Sequence, residues 1–350
     1  LDDHGHGTHV AGIIGADGGG SLGIAPGVTF YAYKVLDSRG SGYLSTVVEA
    51  LERCADPDQD PSTADALDVV NLSLGGDGDE DDVASRAVDA LDALGTVVVA
   101  AAGNDYRLYG IGSPGVARRA VTVGSVDKRD TLSAFSSRGP TPELGLKPDL
   151  VAPGEDILSL APGGGSRVLS GTSMATPHVA GVAALLRQLH PEWDAAELRS
   201  ALIGGAGPVD RTVFEQGAGR VDAWASATAT LFTSPTRLEF GRARPGGGDV
   251  VAAETLRVHT SAPGGSRVQL RWRGDAPATD ASVSIVPTEL SLLPGRESIA
   301  VVTIQMSAGR ARNVIAPFAC SGAVELVLGA EVRRVPCAML DCLRFEAYAN

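Results

Sequence analysis

What this 350-residue sequence lacks narrows its class before any motif is read. No apolar run approaches the roughly 18 to 20 residues that a bilayer-crossing helix needs, so no such span is expected within the chain. Basic residues are in deficit, 29 Lys and Arg against 42 Asp and Glu for a net charge of −13. A nucleic-acid-binding face needs the opposite sign. The deficit is uneven: residues 1–230 hold 16 basic and 31 acidic side chains, residues 231–350 hold 13 and 11. Cysteine is scarce, and none of Cys54, Cys320, Cys337 and Cys342 has the spacing of a zinc site. A starting methionine and a secretory leader are also missing; the chain opens at Leu1 inside a motif, so any targeting signal is expected upstream.

What is present is a chain 44% hydrophobic and 20% charged, ordinary for a soluble protein and long enough for two domains. From residue 28, apolar runs alternate with helical periodicity. VTFYAYKVL, ALDVVNLSL, TVVVAAAG and RAVTVGSV read as strands, and LSTVVEALERC and DVASRAVDALDALG as helices between them. Leu44, Val47, Val48, Leu51 and Cys54 share one helical face, which makes Cys54 a core thiol. Alternation of this kind predicts an α/β fold, a parallel sheet with helices on both faces and functional groups at the carboxyl ends of the strands. A small-residued apolar helix is expected between Val168 and Leu189, and another follows in PEWDAAELRSALIGG. After the boundary at residues 228–235, short alternating runs punctuated by Gly and Pro predict an all-β sandwich of antiparallel strands. Cys320 and Cys337 flank SGAVELVLGAEVRRVP, whose central Gly-Ala turn would set them face to face; a disulfide between them is expected, with Cys342 competing for either.

Two stretches carry chemistry: GHGTHVAG (5–12) and SGTSMATPHVAG (170–181). Ser173 stands where a loop of small residues turns into the apolar helix. Unpaired N–H groups and the positive dipole end favour developing negative charge there. A hydroxyl still needs a base to take its proton, and a base needs an orienting group.

HGTHVAG, NLSLGG, AAAGND, FSSRGPT…LKPDLVAPG and GTSMATPHVAG occur in the order seen in subtilisin-like serine peptidases, and over about residues 2–225 the chain resembles that family. The resemblance implies His6 as general base and Ser173 as nucleophile, with His9 structural and His4 in a substrate-facing loop. It places the Asn104 amide beside the Ser173 N–H as oxyanion donor, a contribution of roughly 3 kcal/mol in such sites. Ser41 and Gly42 would pair with an extended substrate on one side, and Ser73, Leu74, Gly75 and Gly76 on the other. The last four, with Ala101, Ala102 and Gly103 and with Gly112 near the floor, would enclose a wide apolar pocket that prefers large apolar residues before the scissile bond. No cofactor is required for this chemistry. Protein or peptide substrates, a propeptide upstream, and a secreted or cell-surface location are implied.

The triad aspartate is the exception. Asp2 and Asp3 are too close in sequence to His6 to fill the role and read instead as shaping the loop before it. In the family that residue sits on an earlier strand in an Asp-Thr-Gly or Asp-Ser-Gly motif, and no such motif occurs here. The resemblance therefore implies a catalytic domain (1–229) lacking its first strand or strands and the triad Asp, followed by a fibronectin-III- or immunoglobulin-like sandwich (230–350). Replacing the aspartate of a related triad costs about 10⁴ in kcat, so residues 1–350 alone are expected to be nearly inactive, and the missing strand to leave them poorly stable. Many relatives bind structural calcium after the histidine helix, but the loop there holds Asp17 as its one carboxylate. The acidic run with Asp77, Asp79 and Asp81 is the remaining candidate; the stronger reading is of acids favouring the start of a helix. A catalytically inactive relative serving in surface binding or adhesion is the alternative function.

Overall fold

The computed structural model describes residues 2–18, 21–60, 62, 65–243, 249–275, 281–306 and 318–341. Packing divides the chain between Arg199 and Ser200, whereas the shift in composition lies near residue 230. The first unit runs α1 (His6–Gly15), β1 (Asp17–Gly18), β2 (Ser21–Leu22), α2 (Leu44–Ala55), β3 (Val69–Leu72), α3 (Val83–Ala93) and β4 (Val97–Ala101). It continues with β5 (Val121–Val126), β6 (Leu150–Pro153), β7 (Ile157–Leu160), β8 (Ser166–Leu169) and α4 (Thr172–Leu189). α5 (Ala195–Gly204) spans the division, and α6 (Val213–Gln216) and α7 (Ala223–Ala227) open the second unit. The strands of that unit are β9 (Leu231–Ser234), β10 (Leu238–Ala243), β11 (Val250–Thr260), β12 (Ser266–Gly274), β13 (Ala281–Val286), β14 (Glu289–Leu292), β15 (Ser298–Met306), β16 (Phe318–Leu328) and β17 (Glu331–Asp341).

The α/β expectation holds for the first unit. β3, β4, β5 and β6 lie side by side in that order, all parallel. Val47, Leu51 and Cys54 of α2 and Val88 and Leu91 of α3 pack on Val70, Leu72, Val98 and Ala100. α4 covers β3 to β6 from the opposite face, which leaves all five residues of β4 buried. Cys54 is a core thiol, pushed up to about 11 by burial. One expectation fails here. VTFYAYKVL forms no strand: residues 28–35 lack regular structure, and Phe30 and Tyr31 are about half exposed, at 47% and 56%. Among the described residues nothing pairs with this segment, and β-propensity without a neighbouring ladder does not make a strand. α4 (Thr172–Leu189) falls within the span expected for the small-residued helix, and residues 166–169 before it pair with β7 as a hairpin.

The second unit holds two sheets, in the orders β10-β17-β16-β12-β14 and β13-β15-β11-β9. Both contribute to one core, including Leu256, Val258, Val302, Leu270, Leu326 and Val335. The strands are not all antiparallel, since β10 joins β17 in parallel. β9 sits where composition suggested only a boundary, and β10 lies just beyond it, ahead of the first strand expected from sequence. The Cys320–Cys337 disulfide is not formed; both are free, buried thiols. The register sets Cys320 opposite Met339 and Cys337 opposite Gly322. Diagonal neighbours of this kind lie ~7–8 Å apart, too far for a disulfide, whose Cβ atoms are about 3.8 Å apart. Cys342 lies outside the described residues. Arg333, 2% exposed, holds the short helices of this unit: its guanidinium donates to the carbonyls of Ala201 in α5 and Ala225 in α7 and to the Glu331 carboxylate. Among the described residues, no helix is long and apolar enough to cross a membrane.

Candidate active site

His6 is the first residue of α1, and Asp2 fixes that end of the helix. The Asp2 carboxylate accepts from the backbone N–H of His4, Gly5 and Thr8, at 3.1, 2.7 and 2.7 Å, and from the Thr8 hydroxyl at 2.7 Å. Burial works against its charge, but the bonds from Gly5 and Thr8 outweigh it and hold the carboxyl well below the usual range. Gly5 has φ 91°, and a Cβ there would stand 2.9 Å from Arg167 Nη1. The tip of a flexible side chain can move aside, so it is the left-handed backbone that favours glycine at this position. Asp3 pairs instead with Lys34, at 2.6 Å. Sequence placed both aspartates near the histidine loop; the four donors converging on Asp2 needed the folded chain to be seen.

The three histidines of this stretch part company. His9 is fully buried, its Nε2 within 3.0 Å of the Ile157 carbonyl and 3.1 Å of the Arg167 carbonyl. His4 is exposed, its ring 6.3 Å from that of His6. His6 is half-buried, and among the described residues neither of its ring nitrogens has a hydrogen-bond partner. Burial lowers its pKa from the ordinary 6.5, and the nearby His4, His9 and Arg167 lower it further. A neutral imidazole with a free nitrogen suits a general base.

Ser173 is the second residue of α4 and faces β3 and the turn after it. Its hydroxyl donates to the Ser73 carbonyl at 3.3 Å, and the Ser73 hydroxyl donates to the Ser173 carbonyl at 2.8 Å. The Ser173 N–H has no acceptor among the described residues. Asn104, after β4, is oriented by Thr172: the Thr172 N–H and hydroxyl donate to its Oδ1 at 2.9 and 3.2 Å. With Oδ1 committed, its NH2 group is left to donate elsewhere. Gly103, in turn, donates its N–H to the Thr172 hydroxyl at 3.2 Å. Thr172 was not picked out from sequence, although it precedes Ser173 in the same motif.

One cavity of about 1690 Å³ collects these groups: His6, Asn104, Ser173, Ser73, Leu74, Gly75, Gly76, Ala101, Ala102, Gly103 and Gly112 all line it. Gly76 and Ser113 exchange two backbone bonds of 2.9 Å, joining the expected wall to the expected floor. A Cβ on Gly112 would overlap the Gly76 carbonyl, which explains glycine there. Ser41 and Gly42 do not line the cavity; they are exposed at the turn from Asp37. Asp105 and Arg107, missed from sequence, do line it, so the lining is not free of charge. The signal for Asp105 was its place directly after Asn104.

The cavity also extends along a slot. One side is residues 28–37, the other residues 65–78 with the outer edge of β3, and Val47, Leu51 and Cys54 of α2 and Ala180 and Ala184 of α4 close it above and below. Small-molecule pockets run to about 1,000 Å³, so this space is sized for more than one small ligand.

The acidic run does not converge. Asp79 accepts from the Asp81 N–H, Asp81 pairs with Arg118 at 2.9 Å, and Asp82 caps α3 through the Ser85 N–H. Asp77 lines the cavity. Among the described residues the acids that do gather are Asp56, Asp58 and Asp65, with oxygens within 4.8 Å of one another.

A profile of the subtilase family matches residues 1–219. The chain is 39% identical over 235 residues to the serine protease AprX of Bacillus subtilis (58% of this chain, 53% of that protein). It is 41% identical over 206 residues to subtilisin DY of Bacillus licheniformis (57% and 70%), and 38% identical over 227 residues to the alkaline elastase YaB of a Bacillus species (64% and 56%). The chain thus spans about half the length of AprX and of the YaB elastase. With a family match over more than half of its residues, the chain belongs to the subtilase family.

Proposed function

We propose that this chain carries the nucleophile, the base and the oxyanion donor of a secreted serine endopeptidase. The observation that carries this reading is convergence: four separated motifs deliver His6, Ser73–Gly76, Asn104 and Ser173 to one cavity. In the proposed cycle an extended protein segment pairs with Ser73–Gly76 as an added strand. The Ser173 hydroxyl leaves the Ser73 carbonyl and passes its proton to His6 as its oxygen attacks the peptide carbonyl. The Ser173 N–H and the Asn104 amide hold the oxyanion. His6 returns the proton to the departing amine, and water then frees the acyl-enzyme. The small walls Ala101 to Gly103 favour a large apolar side chain before the scissile bond, and Asp105 at the same cavity tempers that preference.

The third member of the triad is proposed to come from a segment upstream of Leu1 that fills the slot as a strand beside β3. Two features support it. Among the described residues the outer edge of β3 is open, and no carboxylate is hydrogen-bonded to His6 to fix its tautomer. A segment running parallel to β3 would end near Asn71 and Ser73, on the same cavity as His6. The two-sheet second unit is proposed to be a fibronectin- or immunoglobulin-like sandwich that carries no chemistry of its own.

The test is labelling by a fluorophosphonate, with the modified peptide located by mass spectrometry, in a form extended upstream to include an Asp-Thr-Gly or Asp-Ser-Gly segment. Label on Ser173 that disappears with His6→Ala is the expected result. A folded, extended protein that takes no label at Ser173 refutes the reading and leaves a binding or adhesion role.

A further inference from the structure

The first turn of α4 has a property that its helical pattern alone does not provide. In an α-helix the carbonyl of residue i accepts from the N–H of residue i+4. The carbonyl of Ser173 would therefore accept from residue 177, which is proline, the one residue inside α4 with no N–H to give. Side chains meet three successive carbonyls at this point. The Thr176 hydroxyl donates to the Thr172 carbonyl at 2.8 Å, the Ser73 hydroxyl to the Ser173 carbonyl at 2.8 Å, and His178 Nδ1 lies 2.8 Å from the Met174 carbonyl. Thr176 and His178 belong to α4 itself. Only the bond at Ser173 comes from outside, from the turn after β3. The direction of that bond is set as well, because the Ser73 oxygen accepts from the Asn71 amide at 3.0 Å, which leaves its proton for Ser173.

We propose that Pro177 and Ser73 are positioning residues for the nucleophile. Pro177 withholds the helical donor from the Ser173 carbonyl, and Ser73 supplies the donor in its place. The residue bearing the nucleophile is thereby fastened to the wall of the cavity rather than to its own helix. The fastening matters because the attacking oxygen must be held within a fraction of an ångström of its target, and a misplacement of about 1 Å costs on the order of 10²-fold. The reciprocal bond from the Ser173 hydroxyl to the Ser73 carbonyl is longer, 3.3 Å, so the reacting group is the loosely held member of the pair. The proposal rests on Ser173 being the nucleophile, and it is tested in a way that separates the two.

In the upstream-extended protein, Ser73→Ala leaves the Ser173 carbonyl without a donor; the rate of fluorophosphonate labelling and kcat on a peptide fall about tenfold, while KM barely moves. Ser73→Thr, which keeps the hydroxyl, retains most of the rate. Pro177→Ala alone is neutral or slightly slowing. Placed in the Ser73→Ala background it restores labelling, since the substituted residue then offers the missing backbone N–H. A merely structural role for either residue predicts losses that add, so failure of Pro177→Ala to raise the rate of Ser73→Ala overturns the proposal. An unchanged rate in Ser73→Ala overturns it too. Hydrogen exchange on the 350-residue chain itself gives an arm independent of catalysis. Ser73→Ala speeds exchange in the first turn of α4 and leaves β4 unaltered, and Pro177→Ala reverses this. Exchange as expected in a protein that never labels at Ser173 defeats the peptidase reading and leaves the fastening in place; labelling in the parent with unaltered exchange in Ser73→Ala does the reverse.

Discussion

Residues 28–36 and 96–101 are similar as text, each rich in Val and other β-formers, yet they end in different states. Val97, Val98, Val99 and Ala100 are fully buried in a strand paired on both sides. Phe30 and Tyr31 stand about half exposed in a segment with no regular structure, along the wall of a cavity. The difference lies in the neighbours. β4 has β3 on one side and β5 on the other, whereas residues 28–36 face open space across which β3 presents its free edge. Burying a valine is worth ~1.5–3 kcal/mol only where something covers it.

Filling that space should have the largest effect. An upstream-extended form with an aspartate beside His6 is expected to label at Ser173 about 10⁴ times faster than the 350-residue chain; comparable rates in the two would remove the need for a third group. On the paired side, Val99→Asp puts an unpartnered charge at a fully buried position and should exceed the roughly 4–5 kcal/mol that marks exceptional mutations, so no cooperative unfolding transition is expected in circular dichroism. Asn104→Ala in the extended form should cost about 10²–10³ in kcat and, because it strips the buried Thr172 N–H and hydroxyl of their acceptor, also lower the melting temperature. Burial lowers the pKa of His6, His9 and His178. With folded values below the ordinary 6.5, the unfolded chain binds more protons, so stability is complete above pH 6.5 and is lost as pH falls from there through the folded values. Urea titrations of the 350-residue chain across that window check the sign. The smallest effect belongs to Phe30→Ser, within about 0.5 kcal/mol in this chain. The same substitution in the extended form should cost several times more, and an equal cost in both would break the comparison.

Much of the site was legible because its residues lie in short, local motifs. A helix N-terminus can be read from small residues before an apolar run, and so Ser173 could be placed on α4; a helix at His6 was what the family resemblance implied. The partners of these residues were not legible. Asp2 looked like a loop acid and proved to hold four donors of α1 and the residues just before it. Ser73 looked like one wall residue among four and proved to bind the Ser173 carbonyl from far along the chain. Ser41 and Gly42 match a family segment in sequence, but they lie outside the cavity lining. Cys320 and Cys337 flank a hairpin in the manner of a disulfide pair, but the strand register offset them diagonally.

The sequence by itself determined that the segments forming α2, α3, α4 and α5 are helical, which faces are apolar, that Cys54 is buried, and that the first unit is a parallel α/β layer. These follow from periodicity and from capping, which act over a few residues. Tertiary structure alone decided that residues 28–36 form no strand, that β10 runs parallel to β17, and that Asp105 and Arg107 line the cavity. It also decided that Arg333 closes the ends of two helices. Periodicity records that a face will be covered and leaves open what covers it; strand formation, register and buried hydrogen bonds all depend on the covering element.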